Sequence, residues 1–360
     1  MKKTIAFITV HIGVNVGSNL QAIATSEVLK KTGHDPILIN YIPPRVSYKR
    51  YWSDAKKSWI RFLKAIYNFP RVYSLNKKFE KYQSKHCIMT KPIYDYDNFR
   101  KVVPKADIYM TGSDQVWNFV HNEGYDYHYF FDGIKGKKVA FAASIGMNTL
   151  ATEEAKILKE KLLDYDKITV REDRAVELLQ EIGIKSEQII DPTLLLNKDQ
   201  WKQYMSEPVF NEPYVLVYHP YNIVDIQKIY DVARKVANKK NLKVVSFLWW
   251  ERHPIKQADK TIFNASPGEF LSLMYHADYV ITNSFHGTAF SINFNKQFWV
   301  FSPSKFSSRI TSLVNMLGIE NRLINAQIED KDIDSIIEYK GINAQLDSER
   351  ARAMQFLNSL

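Results

Sequence analysis

Cysteine is all but missing from these 360 residues: Cys87 stands alone. One thiol excludes an internal disulfide and any Cys-based zinc site, and it fits a reducing compartment. Gly and Pro, 13 of each, are too few for a collagen-like or low-complexity chain. No apolar run approaches the ~20 residues that a membrane span requires. Among nine histidines there is no H-E-x-x-H pair, and His121 and His128 stand isolated in a polar stretch, so no metal site is expected. The G-x-G-x-x-G dinucleotide fingerprint, the P-loop lysine and the G-x-S-x-G hydrolase elbow are absent too.

Charge is missing from one long stretch: no Asp, Glu, Lys or Arg occurs between Lys3 and Glu27. With Met1-Lys2-Lys3 before it and Ala22-Ile23-Ala24 inside it, the segment imitates a secretory signal. Its apolar run, Ile5 to Val10, is short and is followed by Gly13, Asn15, Gly17, Ser18 and Asn19. That order predicts a buried strand, a Gly/Asn loop and a helix.

What is present is cation. Lys and Arg exceed Asp and Glu by 49 − 39 = +10. The whole excess sits in Arg45–Lys85, where 12 cations face only Asp54 and Glu80. Ten aromatics are interleaved there, including Trp52, Trp59, Phe62 and Tyr67. An anionic partner is therefore expected, and nucleic acid has to be weighed, although no nucleic-acid-binding motif supports it.

Elsewhere short β-rich runs alternate with helical periodicity. Strands are expected at Thr4–Val10, Pro36–Asn40, Asp107–Thr111, Lys138–Ala143, Lys167–Val170, Gln188–Ile190, Tyr214–Tyr218, Lys243–Leu248, Asp278–Thr282 and Gln297–Phe301. Helices are expected at Leu20–Lys31, Thr152–Leu163, Arg174–Ile182, Val224–Ala237, Pro267–Tyr275 and Thr288–Asn295. The alternation means an α/β protein with parallel sheets covered on both faces. The polar, Pro-containing stretch Leu196–Pro213 is the expected boundary. It gives a first Rossmann-like domain over 1–205 with a basic-aromatic helical insert at 45–85, a second over 206–340, and a terminal helix over 341–360.

Doubly wound domains bind ligands beyond the carboxyl ends of their strands, so the loops there are where chemistry is sought. His11 to Asn19 offers backbone N–H groups before a helix. Thr111 to Asn118 brings Gly112 for close approach, Asp114 as a base and Trp117 as a sugar-stacking face, against the plainer alternative of a helix cap with a core Trp. Ala143 to Gly146 is weak alone. At Val170 to Arg174 an Arg can fork a phosphate or carboxylate, unless Glu172 and Arg174 simply pair. Asp191-Pro192-Thr193 reads as a strand-ending turn. The strongest is Thr282 to Thr288, where hydroxyls, N–H groups and His286 converge on a helix N-terminus and Gly287 clears space.

Gly17-Ser18-Asn19-Leu20-Gln21, Gly112-Ser113-Asp114-Gln115-Val116-Trp117, Ala143-Ser144-Ile145-Gly146, Val170-Arg171-Glu172-Asp173, Asp191-Pro192-Thr193 and Asn283-Ser284-Phe285-His286-Gly287-Thr288, in this order, resemble the polysaccharide pyruvyl transferase family. The resemblance covers roughly residues 5–320 and implies a fold like the two-domain GT-B glycosyltransferases. It implies transfer of a pyruvyl group from phosphoenolpyruvate to a surface-polysaccharide sugar, with no cofactor and no metal. Arg171 and His286 would then stand at the donor with Ser284, Gly287, and Lys305 or Arg309. The family's lysine has its nearest match here in Ser302-Pro303-Ser304-Lys305, which lacks the accompanying Tyr and Asp. On this reading His286 is the acid, Asp114 the base, and Asn19, Gln21, Ser113, Asp114, Gln115 and Trp117 meet the acceptor.

The expected acceptor is a galactose-type hexose, ketalised at O4 and O6, of a polyprenyl-diphosphate-linked oligosaccharide for surface or capsular polysaccharide. The alternatives are a nucleotide-sugar glycosyltransferase of the same fold and a binding-only sensor of phosphorylated sugars. A helix over Trp52–Tyr67 would align Trp52, Trp59, Phe62, Leu63 and Ile66 on one stripe, with Lys56, Lys57, Arg61 and Lys64 largely outside it. That is the pattern of a helix lying on an anionic membrane. A cytoplasmic protein, peripheral on the inner face of the cytoplasmic membrane and binding no nucleic acid, is the resulting expectation.

Overall fold

The computed structural model describes residues 2–94, 96–221, 226–249, 253–301, 308–324 and 328–360. Lys305 lies outside the described residues. The chain divides into two compact units, Met1–Pro192 with Met354–Leu360, and Thr193–Ala353. Each is built around a six-stranded sheet whose pairings are all parallel.

In the first unit the strands are β1 (Thr4–Ile8), β2 (Asp35–Leu38), β3 (Ile108–Thr111), β4 (Lys137–Ala143), β5 (Lys167–Val170) and β6 (Glu187–Gln188), ordered β2-β1-β3-β4-β5-β6. Ile5–Ile8 and Ile108–Thr111 are buried throughout, as strands covered on both faces must be. The helices are α1 (Val16–Lys31), α2 (Tyr48–Ala55), α3 (Trp59–His86), α4 (Tyr96–Val102), α5 (Thr152–Leu162) and α6 (Asp173–Glu181). α1 begins four residues earlier than its apolar spacing suggests. The Asn15 side chain accepts from Ser18 N at 3.2 Å, and this cap draws Ser18 and Asn19 into the first turn.

The second unit holds β7 (Tyr214–Tyr218), β8 (Lys243–Leu248), β9 (Lys260–Phe263), β10 (Tyr279–Thr282), β11 (Gln297–Phe301) and β12 (Leu323–Ile324), ordered β12-β11-β10-β7-β8-β9. Its helices are α7 (Lys198–Trp201), α8 (Ile226–Lys240), α9 (Pro267–His276), α10 (Phe285–Asn293), α11 (Ser308–Met316), α12 (Asp330–Asp334) and α13 (Tyr339–Asn358), the last of which ends in the first unit. β9 and β12 are sheet-edge strands, short and only partly buried, so they lack the apolar run by which the others announce themselves. The order in which strands are added reverses at one point in each sheet, between β1 and β3 in one unit and between β7 and β10 in the other. Such switch points open a crevice at the strand ends.

The segment expected as the boundary, Leu196–Pro213, belongs to the second unit. Asn293 Nδ2 donates to the carbonyls of Thr193 and Leu196 at 2.9 and 2.8 Å, and buried Trp201 sits edge-on to Phe290. The single helix expected over Trp52–Tyr67 is also corrected. The chain turns at Lys56–Ser58 between α2 and α3, and Trp52 lies on α2 against Phe69, 4.9 Å between ring centroids.

Candidate functional site

Beyond β1, β3, β5 and β6 the first unit places a sealed polar network. The Arg171 side chain is 1% exposed. Its Nη1 donates to Asp191 Oδ2 at 2.7 Å and its Nη2 to Asp114 Oδ1 at 3.3 Å, with Glu172 Oε2 3.8 Å from Nε. Burial works against the guanidinium charge, but Asp191, Asp114 and Glu172 outweigh it and hold the group above its ordinary value. The carboxylates are bound in turn. Ser113 Oγ donates to Asp191 at 2.9 Å, and Ser18 Oγ donates to Asp114. Glu172 Oε1 accepts from Ser144 Oγ and from the backbone of Ile145 and Gly146, at 2.8–2.9 Å. Asp114 holds left-handed backbone at φ +68°, a conformation that Asp tolerates better than most residues.

This arrangement corrects several expectations. Arg171 is not an open donor fork: it ties together the loops after β3, β5 and β6. Asp114 has its oxygens occupied by Arg171, Gln115 N and Ser18, which leaves it poorly placed as a base. Trp117 is buried, stacked on Phe130 at 5.9 Å with Tyr165 at its edge, so it is a core residue and presents no face to a sugar. Glu172 and Arg174 do not pair, since Arg174 reaches Glu177 and Glu181 instead. Asp191, which read as a turn, is a member of the network. Gln115 is buried and accepts from Asn118. Gln21 Nε2 donates to Thr9 Oγ1 and to the carbonyls of Val10 and Ser18. Only Asn19 Oδ1 and Gln21 Oε1, among the named acceptor residues, are buried oxygens with no hydrogen-bond partner.

The second unit is built differently at its own switch point. Thr282 is in register with Tyr218 and donates to its carbonyl at 2.6 Å. Ser284 caps α10, its Oγ accepting from Gly287 N, so α10 starts at Phe285 and takes His286 and Gly287 into its first turn. A Cβ on Gly287 would overlap Thr282 Oγ1 and come within 3.0 Å of the Tyr218 ring, which is why glycine stands there. His286 and Arg309 are both buried. The Phe285 ring is edge-on to His286 at 5.2 Å, and the Arg309 guanidinium carbon is 6.0 Å from its centroid. Ser284, His286, Gly287 and Arg309 are thus brought to one place, where a cation, an imidazole and a helix N-terminus can meet an anion.

Three residues here were not found in the sequence. His219 Nε2 is 3.0 Å from Tyr230 Oη, which is 2.6 Å from Ser246 Oγ. His219 follows Tyr218 just as Asn283 follows Thr282, so the two leave the sheet side by side. Burial holds the Tyr218 hydroxyl well above its ordinary value, keeping it a neutral wall. The lone His after a β-run carried no motif to mark it. Cys87 is buried, which pushes its thiol up to about 12, so it stays protonated and inert.

The model of the polysaccharide pyruvyl transferase family matches residues 15–305. No curated protein matches the chain in sequence. Among solved structures, Staphylococcus aureus MnaA with UDP aligns over 98% of this chain and 90% of its own, with 13% identity and a TM-score of 0.51. Anabaena HepE with UDP-glucose aligns over 99% and 100%, with 9% identity and a TM-score of 0.51. A Listeria monocytogenes protein assigned as a UDP-N-acetylglucosamine 2-epimerase aligns over 99% and 91%, with 10% identity and a TM-score of 0.51. These likenesses are of fold: two Rossmann-like domains in a GT-B-like arrangement of elements.

Proposed function

The chain belongs to the polysaccharide pyruvyl transferase family, and from that premise we propose that it transfers the pyruvyl group of phosphoenolpyruvate to a sugar as a cyclic ketal. The observation that carries the reading is the second unit's cluster of buried Arg309 and His286 at the capped N-terminus of α10. Phosphoenolpyruvate is a dianionic phosphate with a carboxylate beside it, and a helix N-terminus with an Arg fork suits both groups.

In the proposed reaction the methylene carbon of the enol phosphate takes a proton, for which His286 is the acid. The resulting oxocarbenium-like carbon is attacked by a sugar hydroxyl, which gives up its proton. The carbon–oxygen bond to phosphate then breaks with its electron pair on phosphate, and a second sugar hydroxyl closes the ring and loses its proton. One phosphate leaves for each ketal formed. Arg309 follows the leaving phosphate, and Ser284 with the first-turn N–H groups holds the donor. Arg171 acts at a distance, by fixing the loops of the first unit. Asn19 and Gln21 contribute acceptor oxygens to a sugar. The proposed acceptor is a galactose-type hexose, taking a 4,6-ketal on a polyprenyl-diphosphate-linked oligosaccharide. The enzyme then works in the cytoplasm, peripheral to the inner face of the cytoplasmic membrane, without cofactor.

The test is release of inorganic phosphate from phosphoenolpyruvate, with and without a galactoside acceptor, together with the mass of the acceptor product. Acceptor-dependent phosphate release and a pyruvyl-ketal mass are expected. Release of UDP from a UDP-hexose, with phosphoenolpyruvate untouched, would reassign the chain as a nucleotide-sugar glycosyltransferase. Binding of either donor without turnover would make it a sensor.

A further inference from the structure

α3 carries its polarity inside out. At about 100° per residue, Ile66, Trp59, Pro70, Leu63, Tyr67 and Ile60 fall within an arc of about 120°, and all six are exposed. Trp59 is 73%, Tyr67 70%, Leu63 52% and Ile66 49% exposed. The opposite side is buried at Ala65, Leu75, Phe79 and Gln83, while on one flank of the arc Phe62, Phe69 and Tyr73 meet Tyr48, Tyr51 and Trp52 of α2, with Phe62 and Tyr73 still 39% and 44% exposed. Two turns further on the same arc becomes cationic, with Lys77, Lys78, Lys81 and Lys85 all exposed. Lys77 shares its charge with Glu80. Exposed Lys56 and Lys57 precede the apolar turns, whereas exposed Arg61 and Lys64 lie off this arc. A contiguous exposed apolar patch of this kind marks an interaction surface.

We infer that this face of α3 docks on an anionic lipid surface, with the Trp59–Pro70 turns entering the headgroup region and the Lys77–Lys85 turns lying on lipid phosphates. The argument for lipid is charge complementarity along a single face. A protein partner would need a matching acidic groove, whereas an anionic bilayer offers an apolar layer beneath a charged one. Each cation near such a surface adds to binding and is screened by salt. Trp52, part of the α2–α3 interior, is not a lipid contact. The partner deepens the functional reading above, because a lipid-linked acceptor would be met at such a surface. Binding is nevertheless measured without donor or acceptor, so that failure of the surface and failure of the chemistry are separate results.

The experiment is co-sedimentation of the full chain with phosphatidylcholine vesicles, with or without phosphatidylglycerol, at low and high salt. Binding is expected only with phosphatidylglycerol and should weaken with salt. The Trp59→Ala/Leu63→Ala/Ile66→Ala variant, altered only at exposed positions, should fold normally and bind at least about tenfold more weakly. Lys77→Gln/Lys78→Gln/Lys81→Gln/Lys85→Gln should flatten the salt dependence. Leu163→Ser, an exposed apolar residue at the end of α5, should change nothing. Wild type left in the supernatant at low salt overturns the inference. So does equal binding to neutral vesicles, or a triple variant that binds like wild type. Self-association abolished by the triple variant would overturn it in favour of a second copy of the chain.

Discussion

The two units share a sheet of six parallel strands with one switch point, and they fill that point in opposite ways. In the first unit the strand ends are closed by one guanidinium among three carboxylates, with Ser18, Ser113 and Ser144 hydrogen-bonded around them. In the second they carry aromatic walls, His286 and Arg309, and an N-terminal turn capped by a single serine. Arg171 is ion-paired with carboxylates of its own unit, whereas Arg309 packs on Phe285 at the N-terminus of a helix.

That contrast breaks most sharply at Arg171. Arg171→Ala would strand Asp114, Asp191 and Glu172 in a buried site, and breaking such a network costs about 3–5 kcal/mol. The expected result is a large drop in the urea midpoint, or no soluble protein. A folded Arg171→Ala protein of wild-type stability, impaired only in turnover, would return Arg171 to the donor site. His286→Asn should do the reverse. Loss of one stabilising group at the reacting centre is worth about 2.7–4 kcal/mol, or 10²–10³ in kcat, while the denaturation midpoint moves little. The readout is phosphate release from phosphoenolpyruvate, and near-wild-type turnover would remove His286 from the mechanism.

Gly287→Ala probes the joint between sheet and site in the second unit. The new methyl group would meet Thr282 and Tyr218, and overpacking of this kind costs about 1–3 kcal/mol. Since α10 carries His286, activity should fall along with stability. Thr282→Ser, which keeps the Oγ and Cβ that the new methyl group meets, should restore neither.

Most strands of the fold are legible as apolar runs because a parallel strand covered on both faces has no polar side to hide it. Lys167–Val170, Tyr214–Tyr218, Lys243–Leu248 and Gln297–Phe301 end where the sequence says they do. β9 and β12 escape because edge strands need little apolar surface. The helix starts of α1 and α10 are misread for a different reason. Periodicity sees the buried face, but Asn15 and Ser284 set the first turn by accepting a backbone N–H group. At the site, the sequence delivers the participating loops but not their division of labour. Whether Arg171 faces a ligand or Asp191 depends on contacts about twenty residues or more apart, and spacing does not encode them. The fate of Trp117 is of the same kind: Phe130 and Tyr165 cover it.

The smallest expected effect separates the two polar edges by pH. His11 follows β1 in the first unit, buried, with Nδ1 2.9 Å from the Thr9 carbonyl and Nε2 3.4 Å from Asn40 Oδ1. Burial lowers its proton affinity below the ordinary value of 6.5, and the two hydrogen bonds only partly oppose this. The unfolded chain therefore binds this proton more readily than the folded one. Stability contributed by the neutral ring is complete above 6.5 and is lost as pH falls from there toward the depressed folded value. The slope is at most about 1.4 kcal/mol per pH unit for one such group. His86 leans the same way, lowered by burial and then by Lys85 and Lys30, so His11→Gln should remove part of the acid sensitivity and His11→Gln/His86→Gln more. Thermal midpoints taken from about pH 8 down to about pH 5 read this directly. Wild type and the double variant following parallel lines would show that neither histidine carries the acid response.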